Sequence, residues 1–222
     1  MKLYLIGDTE TASLQGGVAE LAWLWIDETF KVYDAQCYRV NPQRKIEPEA
    51  QAIHGISDAD VADCPTLKQV TAGFKSKVDM IGHNISFDLR MLHGTIPVDR
   101  SLCTLNLAWR YISGVPSHKL EVLQKVLNFP MQKAHSALGD VFTCRDLLMH
   151  LCEITGCDIE GLFARQATPM LMTTMPFGKY KGQLITNVPT GYREWLIRQD
   201  LTPDLAHTLQ VYRGITTEFG HE

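Results

Sequence analysis

The segment AELAWLWI, residues 19–26, is apolar almost throughout. A strand of that character has no face to give to water and demands cover on both sides. Residues 2–7 read as a partner strand, and Gly16-Gly17 marks the turn between the two. QCYRV (36–40) reads as a third strand, ended by Asn41-Pro42. Three sequential strands with short links predict an antiparallel meander at the start of the sheet.

The pattern then changes. PEAQAIHGI (48–56) predicts a short helix closed by Gly55, and Ser57 to Val61 another short helical turn. Apolar residues at 67, 70, 74 and 78 predict a helix over 65–78. MIGHN (80–84) predicts a short strand; SFDLRML (86–92), TLNLAWRYI (104–112) and KLEVLQKVL (119–127) predict helices. Leu138, Val141, Cys144, Leu148 and Leu151 form a longer helical stripe. A meander followed by helices alternating with short strands is an α/β pattern.

Past residue 165 the texture shifts to Pro169, a Met- and Thr-rich stretch, Pro176 and FGKYKGQ. Leu205, Leu209 and Tyr212 share a helical face, with Thr202 as N-cap and Pro203 at the first position. Two domains are expected, 1–165 and a small α/β appendage over 166–222. The appendage carries 5 Lys and Arg against 5 Asp and Glu, so residues 1–165 hold the whole net charge of −4. That balance argues against coating nucleic acid by bulk electrostatics, but not against gripping a strand end with the help of bound cations. The opening apolar run is too short for a signal peptide, and no stretch nears the ~20 residues of a membrane span. A cytoplasmic protein with no membrane partner is expected. The six cysteines form no Cys-x-x-Cys pair and read as buried, reduced thiols. His150, Cys152 and Cys157 lack a fourth ligand at suitable spacing, and zinc is rejected.

The chemistry lies in a few acids. Asp8 and Glu10 close the first strand. If the strand runs through residue 10, both carboxylates point to one face and raise each other's pKa. A divalent cation removes the conflict, and hard oxygen ligands favour Mg²⁺ or Mn²⁺; a pair of acids in a turn is the plainer alternative. Asp88 follows the MIGHN strand near a helix start, where an acid is favoured by the helix dipole alone. His135 and Asp140 are five apart and would not share a helix face, so His135 is expected in the loop before a helix that Asp140 helps begin.

Taken in order, DTETASL, GHNISFD and HSALGD resemble the three motifs of the DEDDh branch of the DnaQ-like 3′–5′ exonucleases, and IEPEAQAIHGISDADV resembles the segment these enzymes carry between the first two. The resemblance covers roughly residues 2–152, and the tail LMTTMPFGKYKG resembles a small domain found in other bacterial proteins. It implies a ribonuclease H-like fold, with a central mixed sheet flanked by helices. It implies that Asp8, Glu10, Asp88 and Asp140 hold two Mg²⁺ (or Mn²⁺), and that His135 is the general base. The substrate would be the 3′ end of DNA, single-stranded or duplex, in repair or proofreading. RNA, as for ribonuclease T or oligoribonuclease, stays open, as does a nuclease-like binding module for a replication or repair partner. A homodimer is equally open. The expected substrate contacts are Thr9; Leu14 and Gln15 in a flexible loop after the first motif; His54 and Asn84 at matching family positions; Phe87; and Lys179 with Lys181 around Tyr180. Leu14 and Phe87 have core packing as the competing reading, and the two lysines a solvated hairpin turn.

Overall fold

The computed structural model describes residues 1–132, 135–199 and 201–214. Its contacts divide the chain into two compact units, Met1–Phe163 and Ala164–Glu222, beside the expected boundary.

The first unit is built on a five-stranded sheet of order β3-β2-β1-β4-β5. β1 (Leu3–Ser13), β2 (Gly16–Asp27) and β3 (Val32–Arg39) form the antiparallel meander. β4 (Val78–Gly82) and β5 (Val98–Cys103) join it in parallel. The helices are α1 (Pro48–His54), α2 (Asp58–Val61), α3 (Leu67–Val70), α4 (Ile85–Leu92), α5 (Thr104–Tyr111), α6 (Leu120–Val126), α7 (Ala137–Thr155) and α8 (Ile159–Ala167). The fold is the expected α/β, ribonuclease H-like arrangement.

The apolar β2 segment is covered on both faces. Ala22, Leu24 and Ile26 join Tyr4 and Ile6 of β1 under α5, α6 and α7. Leu21 and Trp23 join Leu5 and Met80 on the other face, under α4. Side chains alternate along a strand, so the β1 positions that continue Tyr4 and Ile6 are Asp8 and Glu10. β1 and β2 are longer than the sequence suggested, and their hairpin changes two expectations. Its turn is only Leu14 and Gln15, since Ser13 already pairs with Gly16, so this is a tight hairpin tip and not a flexible loop. Gly17, in β2 just past the tip, has φ +81, and a Cβ there would lie 2.7 Å from Arg44 Cδ, which explains a glycine at this position. One residue of β2, Ala19, has no partner in the ladder, because Glu10 pairs with Glu20 and Thr11 with Val18. Ala19 is buried with Ala12, Ile46, Ile56 and Val61.

The predicted helix over 65–78 is only α3 followed by a short 3-10 turn, Thr71–Gly73. Leu67, Val70, Phe74 and Val78 all pack on the second core, so the stripe marks burial and not continuous helix. β5 and α8 had no counterpart in the reading. β5 is an edge strand whose VDRS start shows no apolar run. The thiols are all unbridged, but only Cys103 and Cys144 are buried; Cys37 is exposed on the edge strand β3.

In the second unit, α9 (Thr190–Leu196) and α10 (Pro203–Val211) enclose a small core of Met175, Ile185, Val188, Leu196, Leu205 and Leu209. Pro203 starts α10 as expected, and Thr202 stands at the N-cap position, although its hydroxyl makes no cap hydrogen bond. The α/β character expected here reduces, among the described residues, to one isolated bridge, Thr174 with Leu184. Pro176, Gly178 and Gly182 interrupt the intervening chain and leave no run long enough to pair.

Leu147 of α7 is fully buried against the sheet. Leu147→Ala should destabilise the first unit by about 2–5 kcal/mol, read as a lower urea midpoint with an unchanged slope.

Candidate active site

The site forms where β1 outruns its parallel neighbour. β1 pairs with β4 only at Leu5 and Ile6, and β4 ends at Gly82. The Thr9 amide therefore has no β4 partner, and it donates to Asp88 Oδ1 of α4 at 3.0 Å. The Thr9 hydroxyl donates to the same oxygen at 2.7 Å. Thr9 is buried, and its amide and hydroxyl both hold Asp88. α4 begins after Asn84, a left-handed residue with φ 68, which turns the chain from β4 and brings Asp88 back to β1.

Asp8 and Glu10 share the β1 face toward α7, as their spacing predicted. Asp140 lies in the first turn of α7, and one oxygen each of Asp8, Glu10 and Asp140 fall within 4.8 Å of one another. Glu20 lies directly across the ladder from Glu10. It is buried, accepts a hydrogen bond from the Ala137 amide at 2.9 Å, and lies 3.5 Å from Arg39 Nη1. Glu20 thus holds the N-terminus of α7, and through it Asp140. The signal for Glu20 was present in the sequence, as an acid inside a doubly covered strand, the same anomaly as Asp8.

Crowded, partly buried acids resist ionisation. Asp8 is raised well above the usual carboxylate range, first by burial, then by the charges of Asp88, Asp140 and Glu10. Burial also raises Asp88, against the Thr9 hydrogen bonds that lower it. Glu10 is pushed up to about 8 by burial and by the charges of Asp140 and Glu20. Asp140 rises to about 6 by burial, moderated by His135. A compact set of hard oxygen donors whose mutual repulsion only cations can relieve fits divalent metal binding.

His135 precedes α7, as expected, in the left-handed conformation with φ 56. Its Nε2 lies 3.4 Å from Glu121 Oε2 of α6. No local pattern marked Glu121. The substrate-contact candidates divide. Leu14 is 77% exposed at the hairpin tip, which removes its core reading; Gln15 is exposed beside it. Asn84 is exposed at the start of α4. Phe87 is partly buried against the second core, with the Arg90 guanidinium 5.6 Å from its ring. His54 is buried, with Nε2 3.1 Å from the Thr11 carbonyl oxygen and Nδ1 accepting from the Ile56 amide at 3.0 Å, so both ring nitrogens serve the backbone. Lys179 and Lys181 are exposed in a turn of the second unit.

Residues 5–148 match a family model described as Exonuclease, of the RNase_T family. Residues 164–218 match a second model, described as "Putative quorum-sensing-regulated virulence factor". The chain is 34% identical over 214 residues to Exodeoxyribonuclease 10 of Escherichia coli K12, covering 92% of this chain and 96% of that protein. Among solved structures it is similar to Exonuclease X in complex with 5′ overhanging duplex DNA, with TM-score 0.64 and 31% identity over 72% of this chain and 98% of that one. It also shares its fold with E. coli Exonuclease I in complex with a dT13 oligonucleotide, with TM-score 0.63 and 18% identity over 76% of this chain and 44% of that one.

Two measurements test the electrostatics. The folded-state pKa of each site acid lies above its ordinary value, so the stability it contributes is present below that ordinary value and is lost as pH rises through the folded one. In chelator, Tm should therefore fall between pH ~5 and ~8, the interval set by Asp140 at about 6 and Glu10 at about 8, and millimolar Mg²⁺ should flatten that fall. Asp8→Asn should melt higher than the wild type in chelator at pH 8; a lower Tm would contradict the repulsion. Separately, Glu20→Ala leaves the Ala137 amide buried without its acceptor and should cost about 1–3 kcal/mol, read by urea denaturation.

Proposed function

The chain belongs to the DnaQ-like exonuclease family of DEDDh type, and from that premise we propose that it is a metal-dependent 3′–5′ exodeoxyribonuclease acting in the cytoplasm, in DNA repair or proofreading. The observation that carries this reading is the gathering of Asp8, Glu10 and Asp140 within 4.8 Å of one another, with Asp88 of α4 bound to Thr9, the residue between Asp8 and Glu10. DNA is taken as the substrate because the full-length relative is named an exodeoxyribonuclease and the similar structure was solved with duplex DNA. Single-stranded and duplex 3′ ends are both proposed as substrates.

Asp8, Glu10, Asp88 and Asp140 would hold two Mg²⁺ (or Mn²⁺). When bound, these ions would supply Lewis-acid activation of water and neutralise charge on the scissile phosphate. His135 is the general base. Glu121 at Nε2 favours the tautomer that carries its proton there, which leaves the Nδ1 lone pair to receive the proton of the attacking water. Water adds at phosphorus as the bond to the departing 3′ oxygen breaks in line with it, and that oxygen takes a proton from solvent, so a nucleoside 5′-monophosphate leaves and a new 3′-hydroxyl remains. Leu14 at the hairpin tip stacks against the terminal base, with Gln15, Asn84 and the Phe87 edge completing the contact. His54 acts from behind, by fixing the Thr11 carbonyl and so the strand that leads to the tip.

The test is release of 5′-mononucleotides from 3′-labelled DNA with Mg²⁺. Asp8→Ala should abolish release, and His135→Ala should slow it by about 10²–10⁴-fold. Full activity of Asp8→Ala would overturn the assignment. Faster release from 3′-labelled RNA than from DNA would redirect the substrate.

A further inference from the structure

The second unit carries a row of aromatic rings that the site above does not use. Tyr180, in the turn between Gly178 and Gly182, meets Tyr192 of α9 edge-on with ring centroids 4.8 Å apart. Tyr192 lies 5.4 Å from Trp195, one turn further along α9. Trp195 is 52% exposed, although it is the largest apolar side chain of the row. The row is firmly seated, because Tyr180 and Tyr192 also pack on the core of this unit. Gly178 has φ +77, and a Cβ there would lie 2.7 Å from Tyr192 Oη, so a glycine lets the turn lie against the ring.

Cations accompany the rings. Lys179 Nζ lies 5.5 Å from the centroid of Tyr180, and Lys179, Lys181 and Arg198 are exposed; Glu194 is the exposed acid on the same helix. Residues 166–222 carry no net charge, whereas residues 1–165 carry the whole −4, so this part of the chain does not repel a polyanion by its net charge.

We propose that this row docks single-stranded DNA. Unpaired bases stack on Trp195 and along the tyrosine edges, while backbone phosphates meet Lys179 and Lys181. Exposed rings flanked by cations are the means by which proteins hold single strands without reading sequence, and paired bases cannot reach them. The exonuclease reading enters only in choosing DNA over RNA.

The experiment uses the full chain in chelator, so that binding is read without hydrolysis. Fluorescence anisotropy with a 5′-labelled 20-nucleotide oligothymidylate gives Kd at several salt concentrations. Trp195→Ala should weaken binding by about 5- to 150-fold, the range for removing one stacking partner, and Trp195→Phe should recover most of it. Replacing Lys179 and Lys181 together with Ala should lower the slope of log K against log salt by about 1.4, as for two lost phosphate contacts on a single strand. Unchanged Kd in Trp195→Ala, equal loss in Trp195→Phe, or the same loss on a blunt duplex would overturn the proposal. None of these readouts depends on nuclease activity, so absence of hydrolysis would count against the exonuclease reading and leave this result intact.

Discussion

Strand alternation forces a conflict that the rest of this molecule is arranged to hold. The face of β1 that sends Tyr4 and Ile6 into the core continues as Asp8 and Glu10. A helix packed over that face must end or turn polar where the acids begin. α7 meets them with its N-terminus, the end at which backbone amides and the helix dipole favour negative charge. The first turn of α7 contributes a third carboxylate, Asp140, so the local charge is concentrated instead of diluted.

Repelling groups stay together only when other contacts hold them. The Thr9 amide and hydroxyl fix Asp88, and Glu20 fixes the start of α7 through the Ala137 amide. Both supports use backbone that the sheet geometry leaves over: Thr9 lies beyond the reach of β4, and Ala137 is the first residue of its helix. At the opposite end of β1, Arg100 and Lys2 join Asp79 and Glu160, and the Tyr4 hydroxyl donates to Glu160 at 2.8 Å. There each acid has a cation, and Glu160 is held down at about 2 where Glu10 is pushed up to about 8. One strand thus carries a neutralised end and an unneutralised one, and the unneutralised end is where chemistry is possible.

Local pattern made the meander, α4 to α7 and the spacing of Asp8, Glu10, Asp88, His135 and Asp140 legible. It failed where a segment's conformation is set by what it packs on. The 67–78 stripe is apolar because it packs on the second core, where Phe74 meets Trp23 and Trp25, not because it is one helix. β5 pairs at an edge through its backbone, and its side chains do not announce it. Thr9, Glu20 and Glu121 act through partners 79, 117 and 14 positions away in sequence, respectively Asp88, Ala137 and His135, distances over which spacing carries no information. Of these, Thr9 was expected only as a substrate contact, and Glu20 and Glu121 were not expected at all, although Glu20 is a charge where a strand could least accommodate one.

The extra residue in β2 separates two things that an uninterrupted ladder would tie together. Between Asp8 and the hairpin tip, Ala19 breaks the strict pairing of β1 with β2. The pitch and handedness of the tip are therefore set downstream of the acids and independently of them. Removing or adding one residue at that point would turn Leu14 toward a different side while Asp8 and Glu10 kept their register with Ala22 and Glu20. Chains built this way can re-aim a hairpin tip by a single insertion or deletion, without disturbing the carboxylates farther down the strand.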